Sequence, residues 1–131
     1  VDPDAPDGFT PIQERWLEPS TRRPRFTGPV YVLSGPVVMS SDEAFILMMK
    51  SASRATVVGA RTQGASGNPK AHKLAPGITL FLPSWQALTP EGEPFEGVGI
   101  DPDVKVDADP TDFARRDPVL DRALELACDD D

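Results

Sequence analysis

The chain has 131 residues, 39% of them hydrophobic, which is enough for one domain with a core but not for several. Its formal net charge of −8 belongs to the tail: residues 101–131 carry 11 acids and 4 bases, against 10 and 9 in residues 1–100, and a near-neutral body argues against nucleic acid as a partner. A single cysteine, Cys128, excludes an internal disulfide, and a single histidine, His72, excludes a histidine-based zinc cluster.

No apolar run approaches the ~18 residues that cross a bilayer, so no membrane span is expected. No signal peptide is read, and none would be expected if the sequence starts inside a longer protein. Fifteen prolines favour extended connections over long helices. Residues 1–28 hold Pro3, Pro6, Pro11, Pro19 and Pro24 without apolar periodicity. They read as an extended connection with a short turn around Gln13–Leu17, and Arg22-Arg23-Pro24-Arg25 reads as solvated surface. Val30–Leu33 is a continuous apolar run of the kind that forms a buried parallel strand. A helix is predicted from Ser41 to Lys50. It is apolar nearly all round and therefore expected to be buried, with Asp42 and Glu43 at its start and Lys50 at its end matching the macrodipole. Ala55–Gly59 is the next strand, completing a βαβ unit with a right-handed crossover. Thr62–Pro69 is a Gly/Ser-rich loop. Lys73–Thr79 reads as a hairpin turned by Pro76-Gly77 in a type II geometry, with Ile78–Leu82 returning, and Thr89–Gly92 is another turn. Asp117-Pro118 caps a final helix whose apolar face is Leu120, Ala123, Leu124 and Ala127. Trp85 follows the hairpin, where it either packs in the core or borders an edge for strand addition, the core being the commoner role. Asp129–Asp131 read as a solvated, frayed end. Together these elements give an α/β domain with mixed strand pairing.

The stretch richest in chemistry is Gly35–Glu43. A strand ends in a short turn that delivers Ser40 and Ser41 to the mouth of the apolar helix. Ser40-x-x-Glu43 is a capping box, in which hydroxyl and carboxylate each satisfy a backbone amide. The same place suits a nucleophile whose reaction passes through an oxyanion, because helix N-terminal amides point outward there. The two readings are compatible.

The order of landmarks resembles the serine peptidases of the tail-specific (C-terminal processing) protease superfamily, family S41. The matching pieces are the apolar strand, a serine with glutamate three positions on, the apolar helix, Arg54-Ala55-Thr56-Val57-Val58-Gly59, the Thr62-Gln63-Gly64 loop and the strand pair. They close with Thr89-Pro90-Glu91-Gly92 and the run from Glu96-Gly97-Val98-Gly99 to Val104. The resemblance spans about Gly28 to Ala127, and residues 1–27 carry none of it. It divides the chain into a Pro-rich connection, 1–28, and the C-terminal part of a peptidase catalytic domain, 29–131.

The resemblance implies a partial crotonase-like (ClpP-like) α/β fold, with a mixed sheet and a buried helix after the nucleophile strand. It implies hydrolysis of peptide bonds through an acyl-enzyme on Ser40, with the Ser41 backbone N–H as one oxyanion donor. It implies a peptide or protein substrate, no cofactor and no metal, and a cell-envelope or secreted location. One position departs from the tail-specific subgroup, whose base is a lysine directly after the Thr-x-Gly glycine: here that residue is Ala65. Lys70 and Lys73 lie further on and are poor substitutes. The loop is closer to the branch that includes the tricorn core protease and the interphotoreceptor retinoid-binding protein modules, whose peptidases use Ser, His and Glu. That glutamate falls on Glu96, which without the resemblance reads as a solvated turn residue. The branch's histidine lies upstream of the serine, as does a Gly-Gly oxyanion segment; His72 reads as a surface strand residue. The isolated chain is therefore expected to be inactive and to self-associate through the face its upstream half would cover. The alternative is a non-catalytic module of the same fold that binds apolar ligands. A third reading is an interaction fragment using the acidic tail.

Overall fold

β-Branched and apolar runs make three of the five strands of the computed structural model, which describes residues 2 and 4–129. The elements are β1 (Val30–Ser34), α1 (Ser41–Lys50), β2 (Ala55–Gly59), β3 (Lys70–Ala75), β4 (Ile78–Leu82), β5 (Val104–Lys105) and α2 (Pro118–Asp129), with a 3-10 turn at Asp112–Ala114 before α2. β2 is central, parallel to β1 from Val30↔Ala55 to Ser34↔Gly59 and to β5 at Val58↔Val104. Its two valines divide the core between the faces of the sheet, both with no exposed surface. Val57 packs with Ile46 of α1, Phe95 and Ile100. Val58 packs with Val119 and Ala123 of α2. A strand covered on both faces tends to a continuous β-branched, largely apolar run rather than strict alternation, and Ala-Thr-Val-Val-Gly fits that pattern.

β1, α1, β2, the hairpin and the start of α2 fall where the sequence puts them, β5 and the 3-10 turn have no counterpart in the sequence reading, and the surroundings differ in five respects. The parallel and antiparallel pairings belong to two separate sheets, not one mixed sheet. β1 and β5 occupy both edges of β2, so the β3–β4 hairpin has no place beside it and stands apart with every residue exposed. α1 is buried on one side only. It packs on β1 and β2 through Glu43 and Ile46, while Phe45 and Met48 stay exposed beyond the edge of a three-stranded sheet. α2 turns a neighbouring stripe inward: Val119 and Ala123 are buried with Leu126 packed beside them, whereas Leu120 and Leu124 are exposed. Its apolar residues form a stripe wider than the sheet accommodates, and the Tyr31 hydroxyl, donating to the Leu126 carbonyl at 3.2 Å, fixes which part faces in. Trp85 lies at the surface, with the Arg15 guanidinium 4.3 Å above its ring. Finally, the N-terminal turn lies at residues 4–8, not at Gln13–Leu17, because Asp7-Gly8 supplies the positive φ (+75°) that closes it.

The hairpin turns through Pro76-Gly77 with Gly77 at φ +80°, as a type II turn requires. Its base is tied off: the Ser84 and Trp85 amides donate to the Gly67 carbonyl at 2.8 and 3.3 Å, and the Ser84 hydroxyl donates to that of Asn68 at 2.7 Å.

Two aspartates extend the short β5. The Asp103 amide donates to the Val57 carbonyl and its carboxylate accepts from the Val57 amide, both at 2.8 Å, while Lys50 pairs with the second carboxylate oxygen. Asp101 grips Arg61 with both oxygens, at 2.8 and 2.7 Å. Burial pushes the Asp103 carboxyl upward, but the Lys50 hydrogen bond, the Val57 amide and the lysine charge together outweigh it and hold it below its ordinary value. A carboxyl depressed in the folded state stabilises above its unfolded pKa of about 3.9 and ceases to do so as pH falls through the folded value. Asp103→Asn should therefore lose about 0.5–1.5 kcal/mol at pH 7, and the gap to wild type should shrink in acid, as pH falls through the folded carboxyl's lowered value. Urea unfolding at neutral and acid pH measures this. At the other end, Asp117 accepts from the Val119 and Leu120 amides at 3.0 Å each. Asp117→Ala should cost about 1 kcal/mol in the same assay.

Candidate active site

Ser40 reaches its position because β1 ends at a turn, closed by the Val38 amide on the Gly35 carbonyl at 3.0 Å. It is the N-cap of α1 and is exposed to solvent. Its backbone sits at φ 56°, ψ −116°, outside the regions open to residues with a Cβ. Such a conformation costs about 1–3 kcal/mol and persists only where neighbours over-determine it. Here they do. The Ser40 amide points at two acceptors, the Ala65 carbonyl at 2.9 Å and Glu43 Oε2 at 3.1 Å, and its carbonyl accepts from Ala44 at 3.2 Å. Ser41 follows as the first helical residue, where an amide has no acceptor within the helix.

Glu43 is 0% exposed, the most buried residue of a largely apolar helix. Besides the Ser40 amide, Oε2 accepts from the Ala65 amide at 3.1 Å. Oε1 accepts from the Thr62 hydroxyl at 2.6 Å and the Gly64 amide at 2.7 Å. The Thr62 oxygen in turn accepts from the Ile100 amide at 2.8 Å, and its own hydrogen goes to Glu43, whose carboxylate oxygens can only accept. The sequence marks Glu43 as a capping residue; the three partners in the 62–65 loop are an addition. A signal for them exists, since Glu43 shares the buried side of α1 with Ile46, and an acid on a buried stripe must find donors.

The 62–65 loop is stitched to the segment that carries Glu96. The Thr62 amide donates to the Ile100 carbonyl at 3.1 Å and the Gly97 amide to the Gly64 carbonyl at 2.7 Å. The two backbones cross so closely that a Cβ on Gly64 (φ +73°) would lie 2.4 Å from the Gly99 nitrogen. Glu96 itself is exposed, and its Oε2 accepts from the Ser66 amide at 2.8 Å. The Ala65 carbonyl and the Ser66 amide belong to one peptide group. That group therefore bridges the Ser40 amide on one side and the Glu96 carboxylate on the other, and the two stand within about 8 Å. Ala65 brings no side-chain base to this junction. Lys70, His72 and Lys73 are exposed on β3, opposite Leu82, Leu80 and Thr79, and none hydrogen-bonds to Ser40.

The sequence model of peptidase family S41 matches residues 7–106, reaching into the N-terminal connection where the landmarks are silent. A candidate tricorn-like protease C-terminal subunit of Sulfurisphaera tokodaii is 31% identical over 109 residues, 79% of this chain and 13% of that protein. Tricorn protease homolog 1 of Streptomyces coelicolor is 34% identical over 103 residues, 76% of this chain and 10% of its own length. The chain thus spans about an eighth and a tenth of these relatives. Among solved structures, that of a candidate peptidase from Parabacteroides merdae superposes with a TM-score of 0.81 at 31% identity, over 92% of this chain and 38% of that one. With the family match covering well over half of its residues, this chain belongs to peptidase family S41.

Proposed function

We propose that the chain supplies the nucleophile of a serine peptidase, Ser40, acting through an acyl-enzyme within a crotonase-like fold built by residues 29–131 and the segment before them. The observation that carries the reading is the Ser40 backbone: an exposed serine, at a helix mouth, held in a conformation a side chain resists. A module that only binds apolar ligands has no use for that strain, so the geometry favours catalysis. Family membership and the tricorn-like relatives support proteolysis, with a peptide or protein as substrate.

In this reading Ser40 Oγ attacks the scissile carbonyl carbon while a histidine takes its proton, and the carbonyl oxygen gains charge facing the Ser41 amide. The histidine then protonates the leaving amine, and water releases the acyl group from Ser40. Glu96 orients the histidine with Oε1, since Oε2 is engaged by Ser66. The reading requires a gap on the order of 6–9 Å between the Ser40 hydroxyl and Glu96 Oε1, clear of the 65–66 peptide, for an imidazole to sit between them. The histidine and the second oxyanion donor belong to a segment upstream of these residues. Without that segment the chain is inactive and associates with itself through β1 and the exposed Phe45 and Met48 of α1. Among the described residues no helix is long and apolar enough to cross a membrane.

The intact protein should cleave peptides and be labelled by a fluorophosphonate on Ser40, and Ser40→Ala should abolish both. The 131-residue chain alone should do neither. Cleavage that survives Ser40→Ala would refute the nucleophile, and Ser40-dependent cleavage by the chain alone would place the base within it. Glu96→Gln keeps an acceptor for Ser66 but loses the charge, and should lower kcat by about 10³–10⁴-fold. A kcat within a few-fold of wild type would return Glu96 to the role of a turn residue.

A further inference from the structure

We propose that Glu43 is a positioning residue for the Ser40 reaction, holding the strained serine and the Glu96 attachment in one register. The inference rests on reading Ser40 as the nucleophile. A helix cap alone does not account for what is observed. Capping takes one hydrogen bond, to the Ser40 amide, and a surface glutamate makes it without leaving water. Glu43 is instead fully buried and accepts four hydrogen bonds. Burying a carboxylate is costly even when it is well paired, and an apolar residue of similar volume is often no worse for stability. The four bonds fall on the segments that build the site. Oε2 binds the Ser40 amide and the Ala65 amide, and Oε1 binds Thr62 and Gly64. Ala65 also gives its carbonyl to Ser40, and the Ser66 amide of the same peptide group holds Glu96. A shift of the Glu43 carboxylate therefore moves the nucleophile and its acid partner together.

All four partners are donors: three are backbone amides, and the fourth is the Thr62 hydroxyl, which accepts from the Ile100 amide and gives its hydrogen to Glu43. A carboxylate matches that set and an amide cannot: the NH₂ of a glutamine would face either the Ser40 and Ala65 amides or Thr62 and Gly64. One side of the carboxylate cradle must then open, by an amount that is small for the fold and large for a reaction needing near-attack geometry.

The test uses the intact protein and a peptide substrate, well below the melting temperature. Glu43→Gln should lower kcat by about 10–100-fold with KM within about two-fold, and should slow fluorophosphonate labelling of Ser40 to a similar extent. Val119→Ala, on the opposite face of the sheet, is the control for destabilisation: it should lower Tm and leave kcat unchanged. Thr62→Val removes one donor to Glu43 and should lower kcat, and Thr62→Ser should restore it. A wild-type kcat for Glu43→Gln, or a loss no greater than that of Val119→Ala at an equal loss of Tm, would overturn the proposal. Should Glu43→Gln not fold, the threonine pair decides, and a wild-type kcat for Thr62→Val overturns it. Ser40→Ala run alongside reports separately on the nucleophile: if that variant still cleaves, the underlying reading has failed, whatever Glu43 does.

Discussion

A carboxylate taken out of water and surrounded by four donors sets the arrangement of everything around it. Glu43 can be buried in α1 only where the Ser40, Gly64 and Ala65 amides and the Thr62 hydroxyl converge, because an unpaired buried charge costs more than most single contacts return. That requirement fixes the rotation of α1 about its axis. With Glu43 facing the 62–65 loop, Ile46 one turn later meets Val57 of the central strand. Polar complementarity at the top of the helix and apolar packing along it thus specify the same orientation. Agreement between levels of this kind singles out one structure among compact alternatives.

From that point the constraint spreads through backbone rather than side chains. The 62–65 loop passes over the 95–100 segment so tightly that Gly64 and Gly99 are the residues able to occupy the crossing. Beyond it, Asp101 and Asp103 return the chain to the sheet, one gripping Arg61 and the other standing in for a missing rung of the ladder at Val57. The segment carrying Glu96 is therefore held at both ends. Ser40 and Glu96, far apart in sequence, are separated in space by a single peptide group.

Features with local causes were legible in the sequence. A Pro-Gly turn, an Asp-Pro cap, a Ser-x-x-Glu start and β-branched runs act within a few residues, and β1, α1, β2, the hairpin and the start of α2 fall where those signals sit. Burial was less legible, because it depends on what lies opposite. Periodicity cannot say that the sheet stops at β1 and leaves Phe45 and Met48 uncovered, nor which part of a wide apolar stripe on α2 meets Val58. Nor could it say that β5 takes the edge of β2 the hairpin would need for a mixed sheet. At the candidate site, Ser40, Ser41 and Glu96 could be named from motifs. The tie between Ser40 and Glu96 could not, since it runs through the amide and carbonyl of a peptide group that any pair of residues would supply.

The tied base of the β3–β4 hairpin has a consequence for how such a domain can change. Gly67 and Ser84 are joined by a hydrogen bond, and the residues between them leave and re-enter the body at nearly one point. The loops that hold Ser40 and Glu96 lie outside that closure, pinned to each other. Since closing a longer loop costs little more than closing a short one, the excursion can be lengthened, trimmed or exchanged without disturbing the junction of Ser40 and Glu96. It is a graft point, where the outline of the domain can be rewritten while the junction beneath it is inherited intact.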